Sequence, residues 1–323
     1  MAGLVRGDTV ILTGMGGSYA ACYPLAADLA EAGLTAVMLG AAELLHFRIG
    51  ILDPTTPVIV VSQSGESAEV VHLAETLRGR NGGPSLVAVT NGTDNSLARR
   101  ADLVIDTFAG EETGPSTRTF AAGLVTLAGI GSVLRGATVE AACNAMSRIA
   151  ERAAVSIERL LSNGSLGDDL LAWLGPREDV VVLGRGPARA AAEMAALTLK
   201  EADGLAAEAL ESAQFRHGPL ELAGPGLAAI VIATEPETET LDRALARELR
   251  DAGAAVFEIT RDDASFRPPG SPAAPHIGIG AIDRSVAPAV SIVPIQLLAY
   301  RLAIARGREP GAYLRAAKVT TRE

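Results

Sequence analysis

The chain has 323 residues, too many for one ordinary core and suited to two domains of the usual size. Hydrophobic residues make up 48% but aromatics only 3%, so the apolar fraction is mostly Ala, Val and Leu, which suits helices packed closely on parallel strands. A formal net charge of -10 argues against a broad basic surface and so against nucleic acid; an anionic ligand would need a local site of backbone N–H groups and hydroxyls.

In chain order, apolar runs alternate with helix-period segments, the pattern of βαβ units around parallel sheets. The first half reads as a strand TVILTG, a helix from about Ser18 to Ala32, a strand TAVML, another helix and a strand PVIVVS. A helix from about Ser67 to Arg78, a strand LVAVT, a short helix near Leu97, a strand ADLVID and a long helix from about Ser116 follow. A polar helical segment, about Glu140 to Trp173, comes next, with Asn163-Gly164 and Gly167 predicting a turn between two helices.

The second half repeats the order: VVVLG, a helix through Lys200, AAIVIA, a helix from about Thr238 to Ala252, AVFEIT and HIGIG. Each half closes on a long apolar helix, near Phe120 to Leu134 and Val290 to Ala305. VILTGMG and VVVLGRG begin equivalent units, which reads as an internal duplication. Domain limits fall at 1–138 and 176–307, with a helical linker 139–175 and a tail 308–323. Pro268, Pro269, Gly270, Pro272 and Pro275 mark Ala264 to Pro275 as a surface loop.

Cys22 and Cys143 give neither a disulfide framework nor a metal spacing, and the four histidines are scattered, so neither metal nor cofactor is expected. The N-terminus has no signal-peptide layout. The apolar stretch Val286 to Tyr300 reads as broken by Pro288 and Pro294 and too short to span a bilayer, making a cytoplasmic location the default.

The sharpest local signal is Ser62-Gln63-Ser64-Gly65-Glu66-Ser67 directly after PVIVV. Hydroxyls and N–H groups where a parallel strand opens into a helix make an anion cradle, with the helix dipole adding about 0.3–1 kcal/mol. An ordinary N-cap is the alternative, but three serines around one glycine exceed what a single cap requires. Gly14-Met15-Gly16-Gly17-Ser18 is too incomplete for a dinucleotide fingerprint. There and at Thr113-Gly114-Pro115-Ser116-Thr117-Arg118, simple strand-to-helix punctuation and a further ligand contact both stay open. A third constellation pairs Lys200-Glu201 with Gln214-Phe215-Arg216-His217-Gly218-Pro219-Leu220, a His-Gly-Pro turn after an acid-bearing helix, and histidine is a residue type suited to proton transfer. By spacing alone Lys318 reads as a solvated tail lysine.

Taken together, VIVVSQSGESAE, AGEETGPSTRTF, LKEADGLAAEALESAQFRHGPLEL, VPIQLLAYRLAIARG and RAAKVTTRE resemble the SIS (sugar isomerase) family over nearly the whole chain, and within it the isomerase half of glucosamine-6-phosphate synthases and SIS-type deaminases. The resemblance implies an α/β fold of two tandem SIS domains, each a parallel-sheet α/β/α sandwich of flavodoxin-like form. It implies phosphate binding by Ser62, Gln63, Ser64 and Ser67 (threonine in the synthase), and sugar contacts from Ser18, Ser116 and Ala317. Glu201 matches the acid/base that moves a proton between C1 and C2, His217 the ring-opening group, and Lys318 the amine that forms a Schiff base. In the family the histidine comes from a neighbouring subunit, which implies a homodimer with a shared site.

Three departures accompany the resemblance. A glutaminase segment with its cysteine nucleophile does not precede the first strand, so glutamine-driven synthesis is not expected. Thr198 stands where relatives carry a lysine, one turn before Glu201, and a helix expected before the first strand is missing, leaving a trimmed chain or an edge completed by a partner. The implied activity is an aldose–ketose isomerase/deaminase on an amino-sugar 6-phosphate of the glucosamine-6-phosphate type. A fructosamine-6-phosphate deglycase is the enzymatic alternative, a plain phosphosugar isomerase comes third, and a non-catalytic sugar-phosphate sensor is the reading from another class.

Overall fold

The computed structural model describes residues 9–80, 82–263, 275–315 and 317–323. The segment before the first strand and the proline-rich stretch 264–274 lie outside the described residues. Two compact units emerge: Met1–Arg148 with Arg315–Glu323, and Ile149–Leu314. The closing segment therefore belongs to the first unit, and the division falls within one long helix, Val139–Leu161.

The first unit runs β1 (Thr9–Gly14), α1 (Gly16–Ala20), α2 (Cys22–Glu31), β2 (Thr35–Gly40), α3 (Ala41–Glu43, continued by a π-helical turn Leu44–Arg48), β3 (Val58–Val61), α4 (Ala68–Arg78), β4 (Leu86–Thr90), β5 (Leu103–Asp106), α5 (Arg118–Leu134) and the start of α6 (Val139–Leu161). Its five strands form a parallel sheet in the order β2-β1-β3-β4-β5, with Ile11 opposite Val37 on one side and Val58 on the other. Every residue of β3 and β4 is buried, as a central parallel strand covered on both faces requires. Alternation sends Ile11, Val58, Val60, Leu86 and Ala88 to the face covered by Val70, Leu73, Ala74 and Leu77 of α4. On this unit α2 packs against α5 and β2.

The second unit holds the rest of α6, then α7 (Leu166–Leu174), β6 (Asp179–Gly184), α8 (Arg189–Asp203), β7 (Ala207–Glu211), α9 (Ser212–Phe215), β8 (Leu227–Ala233), α10 (Glu239–Asp251), β9 (Ala255–Thr260), β10 (His276–Gly278), α11 (Ala287–Ser291) and α12 (Val293–Ala305). Its parallel sheet has the order β10-β9-β8-β6-β7. Read from β7, that is the strand order of the first unit, so the duplication is one of topology. In both units the order reverses between the first and third strands, which opens a crevice beyond their carboxyl ends.

Four sequence expectations change. The helix placed over Ser18 to Ala32 is two helices meeting at Ala21, because Pro24 has no N–H to donate back to residue 20. Gly167 lies inside α7 rather than in a turn; an added Cβ there would press on the Arg301 side chain and the Leu297 carbonyl of α12, so the glycine permits close helix packing. Strand β7 was not expected, since its Ala-Glu-Ala-Leu-Glu sequence has low strand propensity and it pairs only with β6 at the sheet edge. Finally, Ala287–Ala305 forms 19 residues long and apolar enough to cross a membrane by length and composition. Pro288 and Pro294 sit in the first turns of α11 and α12, where no N–H is required, and this stretch is mostly buried against α7 and α8.

Candidate functional site

The loop after β3 is built largely from its own hydroxyls. The buried Ser62 Oγ accepts the Gly65 N–H at 3.1 Å, and Ser64 Oγ accepts the Glu66 N–H at 3.1 Å. Each hydroxyl keeps its hydrogen available to donate. The loop is laced to the segment after β4: Asn91 N–H donates to the Gln63 carbonyl at 3.1 Å, Leu97 N–H to the Gly65 carbonyl at 3.0 Å, and Ser96 N–H to Glu66 Oε1 at 2.7 Å. Gly65 has φ +65°, and a Cβ there would collide with the Asn95 carboxamide, itself fixed by Thr90 Oγ1 at 3.1 Å and the Ala98 N–H at 2.9 Å. Only glycine fits.

Ser67 occupies the N-cap position of α4, yet its hydroxyl makes no capping bond. The Ala68 N–H, first of the helix, instead donates to the Thr320 carbonyl of the closing segment at 3.0 Å. The simple N-cap account of Ser67 is thus not what the loop displays. A small recess beside this loop is lined by Ser18 of α1, Gln63, Thr90, Ser116, Thr119 and Phe120. It lies at the β1/β3 crevice. Ser18, Gln63 and Ser116 are brought together there; Ser62, Ser64 and Ser67 shape the loop alongside.

Lys318 is no loose tail residue: its side chain is 18% exposed. Its Nζ donates to Glu112 Oε2 at 2.9 Å and to the Gly114 carbonyl at 2.7 Å, and lies 3.5 Å from Ser116 Oγ. Through Ser116 the amine stands at the edge of the recess. Glu112 also accepts the Thr117 N–H at 2.9 Å, Thr117 Oγ1 at 3.0 Å, the Thr119 N–H at 3.3 Å and the Thr119 hydroxyl, and so closes the start of α5 from upstream. Burial opposes its ionisation, but the bonds from Thr119, Lys318 and Thr117 outweigh that and bring the carboxyl down to about 2. Ala317 is exposed beside Lys318, and the Arg118 guanidinium donates to the Glu111 carbonyl.

Glu201 and His217 belong to the second unit, Glu201 half-buried on α8 and His217 exposed in the turn after α9. Gly218, at φ +120°, makes that turn possible before Pro219. Thr198 is buried, and its hydroxyl donates back to the Met194 carbonyl at 2.9 Å, so it offers no cation beside Glu201. Asp203, two residues after Glu201, is fully buried, and neither carboxyl oxygen has a hydrogen-bond partner among the described residues. Burial, only partly offset by Arg306 and Arg308, pushes it up to about 6.

In the second unit the loop equivalent to the serine cradle is Thr234-Glu235-Pro236-Glu237-Thr238. There the buried Glu235 carboxylate accepts both Nε and a terminal N–H of Arg284, at 3.2 and 2.9 Å. The neighbouring buried Asp242 accepts Arg185 Nε at 2.8 Å and the Thr238 hydroxyl at 3.1 Å. Carboxylates stand here where the first unit has hydroxyls, so the two loops differ in chemistry.

Glu112 was missed by residue-level reading, because a glutamate in a polar loop normally signals solvation. A simpler signal exists for Lys318: among 28 Lys and Arg residues only Lys200 and Lys318 are lysines. A chain that uses arginine for nearly every surface cation and keeps lysine beside its candidate acid and at its C-terminal signature marks both positions.

Two parallel sheets of this order, with a hydroxyl-rich loop at the switch point of the first, define a tandem α/β protein of two doubly wound units. The SIS domain model matches residues 3–129 and 174–306, and the chain belongs to the SIS domain family. Glutamine–fructose-6-phosphate aminotransferase (isomerizing) from Pyrobaculum aerophilum is 29% identical over 99% of this chain and 52% of its own length. The Aeropyrum pernix protein of that name is 30% identical over 100% and 52%. The chain therefore spans about half the length of these relatives. Among solved structures, the C-terminal domain of glucosamine-fructose-6-phosphate aminotransferase from Francisella tularensis superposes with a TM-score of 0.84 at 22% identity, covering 96% of this chain and 88% of that one. Glucosamine-6-phosphate deaminase from Thermotoga maritima gives 0.73 at 21%, covering 97% and 90%.

Proposed function

We propose that this protein is a phosphosugar isomerase/deaminase acting on an amino-sugar 6-phosphate of the glucosamine-6-phosphate type. The observation that carries the reading is the Lys318 amine, held 3.5 Å from Ser116 Oγ at the edge of the recess shared by Ser18 and Gln63. In this reading a phosphate sits on Ser62, Gln63, Ser64 and Ser67, and the carbonyl end of the open-chain sugar faces the Lys318 amine. The loop's rigid lacing means that little ordering is required when the anion arrives.

In this reading His217 opens the sugar ring, Lys318 condenses with the open-chain carbonyl, and Glu201 carries a proton between C1 and C2. An imine acidifies the adjacent C–H, and a positioned carboxylate contributes roughly 10²–10⁴ in rate. The SIS family membership and the similarity to an enzyme named as a deaminase support the assignment. The paired subunit expected to share the site belongs to the same proposal.

The test is ammonia release from glucosamine 6-phosphate, together with borohydride trapping of glucosamine 6-phosphate or fructose 6-phosphate on the wild type and on Lys318→Ala. Ammonia with an adduct that vanishes in the variant supports the reading. Amine release from fructosamine 6-phosphate but no ammonia would redirect it to a deglycase. A sensor without turnover is favoured by one observation, the Thr198 hydroxyl bonded to its own helix where the family has a cation; sugar-phosphate binding without any adduct would select it.

A further inference from the structure

We infer that Glu112 is a positioning residue that holds the Lys318 amine at the sugar recess through an ion pair kept in place from both sides. The inference rests on the imine reading above and adds to it a group that reading does not use. Glu112 is pinned to the start of α5 by Thr117 and Thr119, so its second oxygen is presented from a fixed frame. The lysine is delivered from the other direction by a tail that is itself tied down. The Thr320 carbonyl accepts the Ala68 N–H, and the Glu323 carboxylate lies 2.9 Å from His72 Nδ1 and 3.4 Å from His46 Nε2. Lys318 lies between these anchors and Glu112.

The charge balance of the step explains why a carboxylate suits this place. An ammonium and a carbonyl give a protonated imine and one water: the ammonium passes a proton to the carbonyl oxygen, the freed lone pair bonds to carbon, and the oxygen leaves as water with two of the nitrogen's protons, so that nitrogen carries the positive charge at the start and at the end. A carboxylate that stays ionised pairs with the nitrogen before and after the step. Glu112, held near 2, is too weak a base to take the proton itself, which separates its role from that of Glu201.

Because Lys200 and Lys318 are the only lysines, each amine can be followed in the intact protein. Competitive acetylation read by mass spectrometry should find Lys318 labelled more slowly than Lys200 in the wild type. In Glu112→Gln the Lys318 rate should rise about 10-fold or more with Lys200 unchanged, as expected for loss of a charge-assisted bond. Glu112→Asp, which keeps the charge on a shorter stem, should fall between. With fructose 6-phosphate, Glu112→Gln should lower the trapped adduct rate roughly 10–100-fold while binding changes by no more than about 3-fold. Unchanged Lys318 labelling and trapping in Glu112→Gln overturns the inference, since Glu112 would then be a helix cap alone. If the wild type traps no adduct, the imine reading falls, while the labelling arm still decides whether Glu112 holds the amine.

Discussion

Lys318 Nζ and Glu112 Oε2, 206 residues apart in sequence, meet at 2.9 Å. The contact gives the first unit a dependence on pH. Glu112 titrates near 2 when folded against an ordinary 4.5, so its contribution to stability is fully present above pH 4.5 and is lost as the pH falls toward 2. The shift corresponds to about 3 kcal/mol. Urea unfolding of wild type and Glu112→Gln between pH 2 and 6 should show a gap that closes with acid; a gap independent of pH would contradict the depressed carboxyl.

Gly65→Ala should damage both the loop and its ligand. The new methyl group meets the Asn95 carboxamide at a φ that disfavours any side chain, at a cost of about 1–3 kcal/mol. A lowered urea midpoint together with weakened inorganic phosphate binding, followed by calorimetry, is the expected result. Normal phosphate affinity in the variant would remove the loop from the binding site.

Asp203 behaves in the opposite sense to Glu112. Its folded carboxyl is raised from 3.8 to about 6, so the stability linked to it is present below pH 3.8 and is lost as the pH rises through 6. Asp203→Asn should therefore stabilise the protein at pH 7.5 by about 1–3 kcal/mol and have little such advantage at pH 3.5. Equal effects at the two pH values would show that the carboxyl has a partner in solution.

Arg185→Ala should be among the most damaging single changes in the second unit. It leaves the Asp242 carboxylate, 1% exposed, without the guanidinium that pairs with it at 2.8 Å, a loss of about 3–5 kcal/mol. Replacing both partners with apolar residues of similar size, Arg185→Met with Asp242→Leu, should recover most of it. A double variant as unstable as the single one would point to a role for Arg185 beyond the pair.

What could be read from sequence was what is encoded locally. The strand TVILTG, the run of serines after PVIVV and the equivalence of VILTGMG with VVVLGRG each depend on neighbouring residues, through hydrophobic period, turn chemistry and the hydroxyls a helix start can use. The resemblance of these motifs to the SIS family extended that reading to the fold class. Strand β7 escaped because its Ala and Glu residues have little strand preference of their own; pairing with β6 makes it a strand. Likewise Pro288 and Pro294 look like breaks in an apolar run until the first turns of α11 and α12 are seen around them.

The amino-acid sequence by itself determined the two α/β units and the serine cradle, because periodicity and cap chemistry act over a few residues. Only the tertiary structure decided that the tail lysine named by the resemblance is partly buried and paired with Glu112, because that ion pair forms when the chain returns to its first unit. The same holds for the second unit: Glu235 and Arg284 stand 49 residues apart, and only the folded chain brings the carboxylate and the guanidinium together beside the loop after β8.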